Sequence, residues 1–371
     1  MIQLFAVHMP PSVDKPLLDV LHSGWIGQGA KVEEFEDALK DRLGSPYVLT
    51  LNNGTAGLHL ALRLSGVGPG DEVITSPMTC TATTMPILAA GARPVWVDID
   101  VKTGNIDPRK IEASVTSKTK AILFVHWGGY PADLDEIAEI AERYGLRVIE
   151  DAAHAFGATY KGRPIGCHSD FVMFSLQAIK HITTIDGGVL CCKHEDDYRR
   201  GKLLRWYGID REAGKLALRC EDDIKEYGYK YHMNDVAAVI GIEQLKYIDG
   251  ILEAHRRHAA YYDAQFRARQ ITKVWPLRYK IDRMSAYWLY TVITEKRDAF
   301  IDYMRTAGVG VSRAHVRNDI HSCYADYVRP GLLNVEYFDD CQCAIPVHWK
   351  LSLSDLEYIM NKIEEFDHVL A

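Results

Sequence analysis

The stretch "KAILFVHWGGYPADLDEIAEIAERYGLRVIED" (Lys120–Asp151) decides the fold class. It opens on a short apolar run, "AILFV", that does not alternate with polar residues, and it closes on a second, "LRVIE". Between them, "DLDEIAEIAERYG" places its apolar residues at helical spacing, with acidic residues on the other face. Short non-alternating runs of this kind belong to strands covered on both faces, and helices between them indicate a mostly parallel sheet.

Working outward, the same texture repeats. "PYVLTL" (Pro46–Leu51) precedes the helical pattern "NNGTAGLHLALRL", and "DEVITS" precedes "TTMPILAAG". "RPVWVDID", "DFVMFS" and "GGVLCCK" add further strands. From Asn234 the pattern changes to one long predicted helix, "NDVAAVIGIEQLKYIDGILEAHRRHAAYYDAQF", followed by a smaller mixed region. The expected fold is α/β. Residues 1–245 hold an N-terminal segment and a large domain with a mostly parallel mixed sheet between helices, and a smaller C-terminal α+β domain spans residues 246–371.

A chain of 371 residues, 47% hydrophobic and 25% charged, has the composition of a globular protein with a substantial core. Its net charge of −7 gives no bulk support for a nucleic-acid or anionic-membrane partner. No apolar run approaches the roughly 18 residues of a membrane span. The N-terminus lacks the pattern of a signal peptide, so a cytoplasmic location is expected. The eight cysteines are scattered and lack zinc-site spacing, which points to reduced thiols and no metal.

Ligands of open α/β sheets bind beyond the carboxyl ends of the strands. In "NNGTAG", Gly54, Thr55 and Ala56 start a helix directly after a strand, presenting backbone N–H groups and a hydroxyl to an anion. Neither GxxxxGK[ST] nor GxGxxG occurs there, so nucleoside triphosphate and dinucleotide readings have no support. "VIEDAAHAFGA" places Asp151 and His154 at another strand end. The carboxylate there is either a helix cap or a partner for a protonated ring nitrogen. In "FSLQAIKHITTIDGG", Ser175 ends a buried strand and Lys180 follows among apolar neighbours. Partial burial lowers an amine's pKa and turns it into a nucleophile toward aldehydes. Anion cup, carboxylate and amine together are what pyridoxal 5′-phosphate (PLP) requires.

In this order the segments resemble the DegT/StrS group of PLP-dependent sugar aminotransferases, which share the aspartate-aminotransferase fold (fold type I). "SGWIGQGAKVEEFE", "GVGPGDEVITSP", "GARPVWVDID" and "YGYKYHMNDVAAVIGIEQL" complete the match over nearly the whole chain. The resemblance implies that Lys180 is the Schiff-base lysine and Asp151 the partner of the pyridine nitrogen. His154 would lie near the cofactor's phenolic oxygen, and Gly54, Thr55, Ala56 and Ser175 would bind its phosphate. Lys230 stands where the family often has an asparagine that touches the phosphate from the neighbouring subunit, which implies a homodimer with shared active sites.

Three departures stand out. Cys80, in a shortened "PMTCTATT" loop, occupies the place of a stacking aromatic ring. Ile185 and Asp186 replace Gly-Glu in the segment after the lysine, and His232 replaces a frequent arginine. The implied reaction moves an amino group from an amino acid, L-glutamate first, to a nucleotide-linked 4-keto-6-deoxyhexose, with a 3-keto sugar second. The cofactor would alternate between PLP and pyridoxamine 5′-phosphate. A smaller phosphorylated ketone is an alternative acceptor. A PLP-dependent sugar dehydratase is an alternative enzyme, but that branch carries histidine at the lysine position. Counting back from Gly187–Gly188 puts Lys180 there, not His181. A non-enzymatic protein of this fold would be expected to lack Lys180 or Asp151. Trp25, Tyr207, His315 and Arg317 are available to a sugar nucleotide, and each is equally compatible with packing.

Overall fold

The computed structural model describes residues 1–211 and 223–369. The chain opens with helices α1 (Asp14–His22) and α2 (Ala30–Leu43). It then alternates through β1 (Tyr47–Leu51), α3 (Gly54–Leu64), β2 (Glu72–Thr75), α4 (Thr81–Ala89), β3 (Arg93–Trp96) and β4 (Thr119–Val125). Next come α5 (Leu134–Tyr144) and β5 (Arg147–Asp151), the crossover unit expected from Lys120–Asp151. Two short strands, β6 (Thr159–Tyr160) and β7 (Arg163–Pro164), lead into β8 (Phe171–Ser175) and β9 (Gly188–Cys192). Helices α6 (Glu195–Leu204), α7 (Asp235–Leu245) and α8 (Ile248–Ala268) follow. The chain ends with β10 (Trp275–Pro276), β11 (Arg283–Met284), β12 (Tyr290–Ile293), α9 (Arg297–Thr306), α10 (Leu333–Cys341), β13 (Gln342–Ile345) and α11 (Leu353–Val369).

Seven strands form the main sheet in the order β1-β9-β8-β5-β4-β2-β3. Only β9 runs against the rest, pairing antiparallel with both β1 and β8. Side chains that alternate along each strand separate into two apolar layers. Val48, Ile122, Phe124, Val172 and Val189 pack on one side with Phe35, Ile137 and Leu252. Leu49, Leu123, Met173 and Leu190 pack on the other with Leu58, Leu62 and Ile87. The sheet is therefore buried on both faces, as its unbroken apolar runs require.

A second core lies in the C-terminal part, between α8, α9, α11 and the small sheet β10-β12-β13. The expected single helix from Asn234 is two, broken at Lys246–Tyr247. Neither residue is a glycine or proline, so the apolar periodicity runs on through the break. The first residues reach across to this second core. Ile2 donates its N–H to the Gly308 carbonyl at 2.8 Å and accepts from Gly310 N–H at 2.7 Å, so the N-terminus lies on the C-terminal core. The seven cysteines among the described residues are free, and Cys220 lies outside those residues. No helix of the described residues is long and apolar enough to cross a membrane.

Candidate active site

Strand alternation at β5 gives Glu150 and Asp151 opposite surroundings. The Glu150 carboxylate pairs with the His126 ring at 2.7 Å, both fully buried. Asp151, 2% exposed, turns to the other side and faces a cleft of about 750 Å³. Its Oδ2 accepts from the Thr83 hydroxyl at 2.7 Å, and its Oδ1 from the Ala153 N–H at 3.0 Å. Burial raises the Asp151 pKa, while these two hydrogen bonds and the Lys180 charge oppose the rise.

The amine arrives from the β8–β9 connection. Leu176 N–H donates to Gly187 O at 2.9 Å and Thr184 N–H to Leu176 O at 3.0 Å, closing the neck of the loop. The Lys180 N–H donates to Gln177 O at 2.9 Å, so the chain turns back and carries Lys180 into the cleft. Burial of the ammonium lowers its pKa to about 8, against the opposing pull of Asp151 and the Cys80 thiol. His181 points elsewhere: it is buried, within 3.0 Å of the Ala286 carbonyl and edge-on to His255. Of the adjacent pair, only Lys180 lines the cleft.

The candidate anion cup lies at the start of α3. Asn53 caps the helix, its side chain accepting from Ala56 N–H at 2.8 Å, which leaves Gly54 and Thr55 leading the helix into the cleft. Gly188 permits this approach. A Cβ there would lie 2.4 Å from Asn53 O and 2.8 Å from Gly54 N. Ser175 ends β8 beside Gly54, so hydroxyl and helix start share one wall of the cleft. Three devices thus converge: oriented amides for an anion, a buried carboxylate, and an amine of lowered pKa.

Cys80 caps α4 and lines the cleft, as does His154. The His154 pKa falls well below its ordinary value through burial, with the Lys180 charge adding, and its Nδ1 is buried without a protein partner. His315 also lines the cleft, its ring stacked at 5.5 Å on His154 and its pKa lowered by burial to about 3.

Other expected residues lie apart. Arg317 does not line the cleft, because Asp319 and Glu336 engage its guanidinium. Trp25, 59% exposed, borders a separate apolar hollow with Lys15, Val20 and Asp235. Tyr207 is likewise absent from the cleft wall. Lys230 is exposed, and its carbonyl accepts from Asn52 Nδ2 at 3.3 Å, beside the α3 turn of its own chain. The unusual "TTIDGG" has a backbone consequence: Ile185 adopts φ 74, left-handed space that costs a β-branched side chain and not a glycine.

Sequence reasoning missed Thr83, His59, Tyr231 and Trp288, all near Asp151 or on the cleft wall. Thr83 had a local signal, one turn beyond Cys80 at the start of α4. Trp288 had none, since "SAYWLYTVI" reads as an ordinary buried strand.

Comparison with known proteins identifies the family. The family model of the DegT/DnrJ/EryC1/StrS aminotransferases matches residues 12–364. A UDP-4-amino-4-deoxy-L-arabinose–oxoglutarate aminotransferase of Shewanella sediminis is 33% identical over 379 residues, covering 96% of each chain. The sugar aminotransferase CalS13 from Micromonospora echinospora superposes with a TM-score of 0.94 at 38% identity, covering 98% of this chain and all of its own. The Streptococcus pneumoniae protein Spr1654 is solved in PLP and pyridoxamine-phosphate forms. Its PLP form has a TM-score of 0.92 at 29% identity, covering all of this chain and 99% of its own. The chain belongs to the DegT/DnrJ/EryC1/StrS aminotransferase family and is a PLP-dependent aminotransferase.

Proposed function

We propose that this enzyme transfers the amino group of an amino acid, L-glutamate first, to a nucleotide-linked keto sugar, a 4-keto-6-deoxyhexose before a 3-keto sugar. The observation that carries the catalytic part is the meeting of Lys180, Asp151 and the α3 turn on one cleft, with the amine's pKa lowered to about 8. The sugar-nucleotide part rests on the names of the similar enzymes.

The residues fit the cofactor. Oriented amides at Gly54 and Thr55, with Ala56 behind them and the Ser175 hydroxyl beside them, suit a phosphate dianion. Buried Asp151 suits a protonated ring nitrogen, which would supply the counter-charge its burial demands. The unpartnered Nδ1 of His154 suits a polar substituent on the same ring. Bound PLP supplies an aldehyde for the amino group and a ring that accepts electrons. Lys180 Nζ would anchor it and, once released, would take up the proton that leaves the donor's α-carbon. A pKa near 8 keeps a useful fraction of this amine unprotonated at neutral pH. Asp151, fixed by Thr83 and Ala153, keeps the ring nitrogen protonated. Cys80 would lie against the cofactor, and His315, on the same cleft wall, would face the acceptor.

A homodimer of cytoplasmic enzyme completes the reading, with Lys230 of one copy reaching the phosphate held by the other. Exposed Leu18, Leu21, Trp25 and Ile26 on and after α1 are surface that a second copy would cover. The test is a panel of nucleotide-linked 4-keto and 3-keto sugars and small keto phosphates, each offered with glutamate. Amination of the nucleotide-linked 4-keto sugar is expected. Turnover of small keto phosphates alone would overturn the acceptor assignment.

A further inference from the structure

The Lys180 side chain lies against the Trp288 ring. Its Nζ sits 3.5 Å from the centroid of the Trp288 ring, well inside the range of a cation–π contact. The same indole donates from Nε1 to the carbonyl of Ile179, the residue before the lysine, at 2.9 Å. It also stacks on His154 at 3.9 Å with 21° between planes. Trp288 is 5% exposed, so water screens these contacts little.

The backbone around this ring is strained and held from several sides. Tyr287 adopts φ 50, left-handed space uncommon for a bulky residue. Ser285 Oγ accepts from Tyr287 N–H at 3.0 Å, and the His255 ring lies 2.8 Å from the Tyr287 carbonyl. Ala286 N–H donates to Gly129 O at 3.0 Å, while His181 holds the Ala286 carbonyl. Strained backbone of this kind persists only where its surroundings hold it, and it clusters at functional sites. His181 thereby gains a role: it lies behind the loop that carries the indole.

We propose that Trp288 is a positioning residue, whose ring face holds the Lys180 ammonium and whose N–H holds the lysine-bearing loop by the Ile179 carbonyl. The indole would be the resting place of the charged amine whenever the cofactor does not hold it. The inference rests on Lys180 being the reacting amine, as argued above. The other groups facing Lys180 are Asp151 from β5, Cys80 at the start of α4, His154 and His315. Asp151 and Cys80 favour its charge, burial opposes it, and the two histidines are held neutral by their own burial.

The experiment measures the Lys180 pKa in cofactor-free protein by competitive amine labelling across pH, followed by peptide mapping. Trp288→Leu removes the ring, Trp288→Phe keeps a weaker one, and a polyfluorinated tryptophan placed at residue 288 keeps shape and N–H but weakens its negative face. The expected pKa falls from wild type to phenylalanine to leucine, by roughly half a unit to one and a half units in all. The fluorinated variant should fall too, with its thermal stability unchanged. Equal pKa values in wild type and the fluorinated protein would overturn the proposal. So would a rise in either substituted protein, as water entering the vacated volume would produce. Pyridoxyl labelling of Lys180 on borohydride reduction with PLP checks the underlying assignment separately, because it does not depend on Trp288.

Discussion

Gly188→Ala probes the joint between the sheet and the anion cup. Gly188 begins β9, paired with Leu51 on one side and Ser175 on the other. A methyl group there would lie 2.4 Å from Asn53 O, 2.6 Å from Asn53 C and 2.8 Å from Gly54 N, all backbone atoms that no rotamer change can move. The cap residue and the first helical residue of α3 must therefore shift away from β9. Overpacking of this kind costs about 1–3 kcal/mol in stability. The same shift misaligns the Gly54 and Thr55 amides with a phosphate. Losing one charge-assisted hydrogen bond, about 1.5–3 kcal/mol, weakens binding roughly tenfold to a hundredfold. Titration of the cofactor-free variant with PLP measures the affinity, and thermal unfolding measures the strain. Gly68→Ala is the control, since a Cβ there meets nothing within 4 Å. A destabilised Gly188→Ala variant that binds PLP as tightly as wild type would refute the assignment of the α3 turn to the phosphate.

Three further outcomes are expected. Asp151→Asn keeps the shape and the Ala153 hydrogen bond, so it should fold and bind PLP while turnover drops roughly a hundredfold to a thousandfold; wild-type turnover would contradict its charge role. Lys230→Ala should lower PLP affinity about tenfold or more with unfolding unchanged, read by equilibrium titration; unaltered affinity would remove Lys230 from the phosphate site. Glu36→Ala strips the partner from Arg205, whose side chain is 3% exposed, and from the Thr50 N–H and hydroxyl. Denaturant unfolding should show a loss of about 3–5 kcal/mol, the effect of an unpaired buried charge.

Much of the site was legible because it lies on strand ends. Asp151, Ser175 and the Asn53–Ala56 turn each follow a buried apolar run, and a parallel sheet aligns such ends by construction. Lys180 was legible from its place between β8 and the Gly187–Gly188 pair, although the turn that aims it inward depends on contacts across the loop neck. What escaped was set by tertiary packing. Trp288 reaches Lys180 from the C-terminal part through a loop held by Gly129, His181 and His255, and no spacing in the sequence joins those residues. Arg317 shows the converse: an arginine in a promising segment is engaged by neighbouring acids that only the folded chain brings round it. The break between α7 and α8 was invisible because Lys246 and Tyr247 are ordinary helix residues.

The most direct test of the central claim is borohydride reduction of the protein with PLP, followed by peptide mapping. A pyridoxyl label on Lys180 is the expected result, with neither label nor turnover in Lys180→Ala. A label on a different lysine, or turnover surviving in Lys180→Ala, would contradict the assignment of Lys180 as the reacting amine.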